Sequence, residues 1–397
     1  MTIGRQAARQ GTNLPRMSDF NESVVLDTIR RAPDGQSRVE LAAATGLSAQ
    51  TVTNICRRLL ERGLVVETGK RSGLAGKPRV VLEVEPASRY AVGVHLDPAS
   101  VTYVVLDLVG NVVGRRREPT PSALDQGATL AAMSAAVEDL VRGSGVPRDR
   151  IVGLGIAAPG PIDHDEGSVV DPPLLSGWHR VPVRDHLARS TGLPVVMDKD
   201  VIAAAVAERW AGVASGTGDF VFFYLGTGAG IGIVAGDLVL HGASGNAGEV
   251  GGLDASCTTR ALVAEAIARG VLGPEAAPAG PRDAEVRLAE LAARAHEDDP
   301  VAVDIIDGWA RRVGRGVCTA ATLLDSELIV FGGPVWPHLR ERFLAVVPEI
   351  QRAWPYPVLR PAALAGSALG DDVGAIGAAC LALDRALAAR PQTVLLG

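Results

Sequence analysis

Long apolar runs are missing from this chain. No window reaches about eighteen uninterrupted apolar residues, the length a membrane-spanning helix needs. The opening stretch MTIGRQAARQGTNLPR also lacks the apolar segment of an export signal, so no membrane association and a cytoplasmic location are expected. Cysteine is scarce too. Cys56, Cys257, Cys318 and Cys380 stand far apart with no CxxC or CxC pair, so spacing supports neither a disulfide framework nor a four-ligand zinc site, and buried thiols are expected. What the chain has is length and apolar content: 397 residues, 47% hydrophobic, enough for two or three domains of roughly 100–200 residues.

Charge is unevenly spread. Residues 1–90 hold 14 Lys and Arg against 9 Asp and Glu, so of the chain's 39 and 45 the remainder keeps 25 against 36. A basic end on an acidic body points to an anionic partner for the end alone.

Residues 1–17 are polar and without period and read as a flexible arm. The stretch 24–33 places Val25, Leu26 and Ile29 on one helical face and stops before Pro33. A second helix over 37–45 opens with a Ser37/Glu40 capping box and ends at Gly46; a third follows Ser48 as its N-cap, turns Val52, Ile55, Leu59 and Leu60 inward and closes at Gly63. Two short helices across the turn TGLS form a helix-turn-helix. The outward face of the third carries Ser48, Gln50, Thr51, Thr53 and Asn54 early, then Arg57 and Arg58, the layout of a major-groove reader; a plain solvated face is the alternative. Residues 64–86 then read as strand, glycine-rich turn, strand, a β-wing with Lys70, Arg71, Lys77 and Arg79 at its tip, suited to lie along DNA or enter the minor groove. Together, residues 18–86 predict a winged helix-turn-helix that binds double-stranded DNA.

From Tyr90 onward strands and helices alternate, which marks a mixed α/β architecture. Strands are expected within 90–113, 151–163, 193–200, 220–242 and 327–334, helices near 124–142 and from 201, and a surface loop leading to a helix between Arg269 and Pro300. The stretch LGTGAGIG, 225–232, has no Lys-Ser or Lys-Thr pair and opens a strand, which excludes a Walker loop and a dinucleotide fingerprint. A hairpin with a glycine-lined bend remains, its amides able to cradle phosphate oxygens and its glycines kept for the bend.

The motifs APGPID (158–163), SGW (176–178), GLPV…D (192–200) before an Ala-rich helix ending at Glu208, LGTGAGIG, HGASGNAGEVG (241–251), FGG (331–333) and LGDDVGAIGAA (369–379) lie in order along the chain. With the winged helix before them, residues 90–397 resemble the ROK family, which groups transcriptional repressors with sugar kinases on the actin-like ATPase fold. The resemblance implies a two-lobed body, with 90–199 plus 380–397 as lobe I and 200–379 as lobe II. It also implies candidate effector contacts at Trp178, Lys199, Asp200, Gly228 and Glu249.

The kinase parts of that pattern are incomplete. The base of the family's Asn-Asp-Ala-Asn run matches Asp200, but Lys199 and Ile202 replace the flanking amides; Lys199 is expected to favour the ionised carboxylate. The Asp-x-Gly-Gly-Thr phosphate loop reads His95-Leu96-Asp97-Pro98-Ala99, with a negative charge where phosphates would lie and a proline that donates no amide. The family's sugar- and zinc-binding His is Gly252, only Cys257 is left of its cysteine cluster, and Leu174 stands where an asparagine is expected, while Glu249 is kept either for sugar or for packing. No metal or cofactor is therefore expected, and Asp200 is a vestigial base.

The expectation is a repressor-type regulator of carbohydrate metabolism: not an enzyme, binding an operator as a homodimer or dimer of dimers, and sensing a sugar-like or other small effector. Two alternatives stay open, a sugar kinase with a fused DNA-binding domain and a DNA binder that senses nothing.

Overall fold

The computed structural model describes residues 14–71, 78–121, 125–172, 174–175, 177–250 and 258–387. At the amino-terminal end helix α1 (Leu14–Arg30) leads through a short strand β1 (Gln36–Ser37) into α2 (Arg38–Thr45) and α3 (Ala49–Glu61), followed by β2 (Val65–Arg71) and β3 (Arg79–Val84). Helix α1 begins at Leu14, so residues 14–17 are helical rather than part of an arm; residues 1–13 lie outside the described residues. Local chemistry sets the ends of the next two helices. Ser37 Oγ accepts the Glu40 amide while Glu40 accepts the Ser37 amide, and Gly46 takes φ +70°, a left-handed stop. Ser48 Oγ accepts the Thr51 amide at the start of α3. Val52, Ile55, Cys56 and Leu59 are buried, which turns the opposite face of α3 outward. Strands β2 and β3 pair antiparallel, with Arg71 opposite Arg79, and β1 adds on the far side of β3.

The body holds two five-stranded sheets. The first is built from β4 (Tyr90–Leu96), β5 (Ser100–Asp107), β6 (Val112–Pro119), β7 (Ile151–Ala158) and, beyond the short β8 (Ile162–Asp163) and β9 (Ser168–Val169), β10 (Val195–Lys199). Helices α4 (Gln126–Ser144) and α5 (Val183–Thr191) cover its outer face, and α6 (Asp200–Ala211) follows directly. The second sheet uses β11 (Phe220–Leu225), β12 (Ala229–Ala235), β13 (Leu238–Val239), β14 (Leu328–Gly332) and β15 (Ala363–Gly366). Around it lie α7 (Thr259–Ala268), α8 (Pro281–His296), α9 (Pro300–Leu324) and α10 (Trp336–Arg352), and the described chain ends in α11 (Val373–Leu387).

Both sheets have the same order, third, second, first, fourth, fifth strand of each set, with the first, fourth and fifth parallel. This duplicated topology is the two-lobed architecture expected of an actin-like fold. Helices α6 and α11 pack against each other between the sheets, α6 on β11 and β12, α11 on β4 and β7. Glycine makes that contact possible: a Cβ on Gly93 or Gly155 would sit within 1.9 Å of a carbonyl oxygen of α11. The division expected at residue 380 falls inside α11, which packs on the first sheet with one side and on α6 with the other.

Two sequence expectations change here. The segment read as a surface loop between Arg269 and Pro300 contains α8, whose Ala284, Leu288, Leu291, Ala292 and Ala295 form a buried stripe at helical spacing. The glycines of LGTGAGIG are not there for the bend, since none takes a positive φ. Cβ atoms on Gly230 and Gly232 would meet Val201 of α6 at 2.5 and 2.3 Å, so these two let α6 lie directly on the hairpin. Gly228 alone faces open space on its cleft side, with its nearest neighbour, Leu174, at 3.9 Å.

The head is not tethered loosely. Its apolar core, with Val25, Ile29, Leu41 and Ile55, is continuous with that around α6 and α11. The Arg30 guanidinium lies 4.0 Å above the Trp210 ring, donates to the Trp210 carbonyl and pairs with Asp27. Beside it Arg31 joins Asp27 at 2.7 Å to Asp237 at 3.2 Å, and Arg209 reaches Asp384 at 3.1 Å.

Candidate DNA-reading face and interlobe cleft

Helix α3 presents the side chains expected to meet DNA, but not all of them are free. Ser48 and Thr51 hydroxyls lie 2.8 Å apart within the N-cap, and Thr53 Oγ1 donates to the Ala49 carbonyl at 2.7 Å. Gln50 Nε2 donates to Asn54 Oδ1 at 3.3 Å. Arg57 is open, 69% exposed, with Glu61 at 4.0 Å. Arg58 differs from the expectation. Its Nε donates to Glu22 of α1 at 2.8 Å and its Nη2 to Ser18 at 3.4 Å, and Arg62 pairs with the same carboxylate. Glu22 is thus an internal anion that holds two arginines of α3 and its cap, a role its sequence position did not reveal. On the wing, Arg79 is exposed; Lys70 and Arg71 end β2, and Lys77 lies outside the described residues.

In the cleft β10 delivers Lys199 and Asp200 to the point where α6 starts. Lys199 is buried, and its Nζ donates to Glu249 Oε1 at 2.6 Å and to the Ala247 and Asn246 carbonyls at 3.1 and 3.3 Å. The ammonium therefore spans the two sheets with all three of its donors engaged, one of them on the carboxylate that the resemblance offered to a sugar. Asp198 beside it pairs with His241 at 2.9 Å, and Asn246 exchanges two hydrogen bonds with Ile162, so the 241–249 loop is pinned to the first lobe. Burial pushes the Asp200 carboxyl up to about 7; the Val201 amide and Lys199 act against this, Asp97 and Glu249 with it. The expected ionising effect of Lys199 is present but outweighed by desolvation.

Across the cleft the rewritten phosphate loop closes on itself. Asp97 Oδ1 accepts the Ala99 amide at 2.8 Å and the Thr227 hydroxyl of the glycine hairpin at 3.3 Å, and Thr227 Oγ1 is also 3.3 Å from Glu285 of α8. Burial, then Asp97, raises the Glu285 carboxyl to about 7. The Thr227 hydroxyl lies within hydrogen-bond reach of both carboxyl groups and so joins α8, the hairpin and the first lobe. His95 is buried edge-on to Tyr224 at 6.1 Å, and its Nε2 has no partner among the described residues. Burial lowers its pKa and keeps the imidazole neutral, and Gly374 leaves it room, since a Cβ there would lie 2.6 Å from Nδ1.

These residues do not fit a magnesium nucleotide. A neutral, buried imidazole stands where a metal-orienting carboxylate is needed, a carboxylate already holds the hairpin hydroxyl, and Pro98 has no amide to give. Among the described residues no group of three His, Cys, Asp or Glu side chains is arranged to hold a metal ion, and no helix is long and apolar enough to cross a membrane. Gly252 and Cys257 lie outside the described residues.

Of the candidate effector contacts, Trp178 stands apart: its indole is buried in the core of the first lobe among the residues under α5, and its Nε1 has no partner among the described residues. Of the other candidates, Lys199 and Glu249 meet each other directly, Asp200 follows Lys199 at the start of α6, and Gly228 lies in the hairpin with Leu174 as its nearest neighbour. Glu285 and Thr227 were missed. Glu285 sat in the segment read as loop, and Thr227 was hidden among glycines whose role was misjudged.

Comparison with known proteins fits this division of the chain. The ROK family model matches residues 91–385 and the MarR family model residues 13–72. A glucokinase of Halalkalibacterium halodurans is 30% identical over 314 residues, 73% of this chain and 94% of that enzyme. A xylose repressor of Caldicellulosiruptor bescii is 29% identical over 237 residues, 59% of this chain; the match spans only 58% of that repressor. The crystal structure of a ROK family transcriptional regulator, a homologue of the E. coli MLC protein, shares the fold over 96% of this chain and 98% of its own, with a TM-score of 0.76 at 23% identity. The chain therefore belongs to the ROK family, and carries a MarR-type winged helix ahead of the family's kinase-like body.

Proposed function

We propose that the chain is a DNA-binding transcriptional regulator, a repressor in type, which grips a palindromic operator as a homodimer or dimer of dimers and whose kinase-like body transfers no phosphate. One observation carries the proposal: the outward amides and open Arg57 of α3 stand on a body whose cleft is closed by its own side chains, Lys199 on Glu249 and Asp97 on Thr227. Asp200 alone would serve as a base near neutral pH. What phosphoryl transfer lacks here is a place for metal and phosphates, because catalysis of that reaction is almost wholly positioning and charge stabilisation.

Regulation then comes from a small effector, sugar-like or another metabolite, that enters beside Asp200 and Gly228 and resets the angle at which the body presents its heads. A second reading, DNA binding without an effector, is favoured by the Lys199–Glu249 pair, which an entering hydroxyl compound must break. A thermal-shift screen over sugars, sugar phosphates and unrelated metabolites separates the two, since a ligand of the native state raises its melting temperature. The full chain is expected to retain genomic fragments at low ionic strength and to form no sugar phosphate from magnesium ATP and a hexose panel. Failure to retain DNA refutes the regulator, and robust turnover restores the kinase.

A further inference from the structure

Sequence reading by α3 depends on which of its outward atoms are left over once the helix has satisfied itself. The hydroxyls of Ser48 and Thr51 are engaged in the N-cap, and Thr53 has turned its hydroxyl to the Ala49 carbonyl, which leaves its methyl as the outward group. No arginine lies in the first two turns, and Arg58 in the third is held by Glu22. What remains there is an amide pair. Gln50 and Asn54 are four residues apart, on one face, joined by the Gln50 Nε2 to Asn54 Oδ1 hydrogen bond at 3.3 Å. That bond fixes the plane of the Asn54 amide and leaves Nδ2 and the second Oδ1 lone pair unused. A carboxamide with one donor and one acceptor side by side matches the N7 acceptor and N6 donor that adenine alone shows in the major groove, and a methyl group matches the C5-methyl of thymine.

On the footing of the DNA-binding reading above, we propose that α3 reads adenine through Asn54, with Gln50 as its positioning residue and the Thr53 methyl packed against a neighbouring thymine. Each half-site then contains an A·T pair whose adenine faces Asn54, while Arg57 grips the adjoining phosphates.

Selection of a random duplex library by the full-length protein at low ionic strength, followed by sequencing, supplies the half-site. Wild-type protein is expected to enrich one adenine per half-site next to a thymine, and 7-deazaadenine at that position to weaken binding about tenfold or more, since only N7 is lost. N54A is expected to bind all four bases alike there, to ignore the 7-deaza change, and to keep its non-specific affinity. Q50A is expected to lower the adenine preference while leaving the salt dependence of binding untouched, a result that loss of folding would not give. Uracil in place of the thymine is expected to weaken wild type several-fold. Guanine or cytosine at the Asn54-dependent position, or indifference of the wild type to 7-deazaadenine, overturns the base assignment while DNA binding stands. If no duplex is retained at low ionic strength, the DNA-binding reading itself falls, and the base assignment with it.

Discussion

Asp200 is the first residue of α6, where the partial positive charge of a helix N-terminus favours a carboxylate, and it follows Lys199. Burial outweighs both and raises the carboxyl from 3.8 to about 7. The folded protein therefore keeps a proton that the unfolded chain gives up, so this residue makes stability fall as pH rises from about 4 to about 7 and has no further effect above that. Each tenfold difference in proton affinity between the folded and unfolded chain corresponds to about 1.4 kcal/mol, which puts the cost of the wild-type carboxyl at about 2 kcal/mol at pH 5 and about 4 kcal/mol at pH 8. Asp200→Asn removes the titration and leaves any constant packing difference in place. Relative to wild type, the variant is expected to gain about 2–3 kcal/mol between pH 5 and pH 8. Urea unfolding at both pH values, followed by tryptophan fluorescence, measures the gap, Trp210 at the end of α6 being one reporter. A gap that is equal at the two values, or larger at pH 5, refutes the claim that desolvation governs this carboxyl.

Other consequences are as direct. Glu22→Gln releases Arg58 and Arg62 and is expected to destabilise the head by about 1 kcal/mol, because both arginines are more than a third exposed. The same variant should bind DNA more tightly at low salt with a steeper salt dependence, and an unchanged slope in a binding series would count against free arginines reaching phosphates. Removing one side of the cleft pair should be asymmetric: Glu249→Ala strands a buried ammonium and is expected to cost about 3 kcal/mol, Lys199→Met only about 1 kcal/mol, since Glu249 is 64% exposed and finds water. Calorimetry that ranks the two the other way round would show that Lys199 is not desolvated. Trp178→Ala is expected to lose about 3–5 kcal/mol as a core truncation, and a chemical denaturation midpoint close to wild type would return that residue to the surface.

How far the sequence could be read depended on how local the determining physics was. Ser37, Glu40, Gly46 and Ser48 act on amides within three or four residues, and the helix ends they set were legible from spacing. Helix α8 was not, because alanines carry much of its buried stripe and proline and acidic residues surround it, so composition suggested a loop where periodicity held a helix. Burial of Trp178 was not legible either: a motif fixes a position in the chain but not the side of a sheet on which the indole lies. Lys199 beside Asp200 looked like a pair in sequence, yet the ammonium turns to Glu249, fifty residues on, and desolvation holds the proton on the carboxyl that Lys199 was expected to ionise. The hairpin glycines were assigned to a bend when α6, packed on them from another part of the chain, is what excludes side chains there. The failures at Lys199 and at the glycine hairpin both involve a contact between segments distant in sequence.

The stacking of Arg30 on Trp210 has a mechanical consequence. Helix α6 starts in the cleft at Asp200 and ends under a guanidinium belonging to the head, so it works as a rigid lever with one end in each compartment. A twelve-residue helix is about 18 Å long and transmits a tilt without absorbing it. A tilt of the body at Asp200 is thereby handed to the head at Trp210, about 18 Å away.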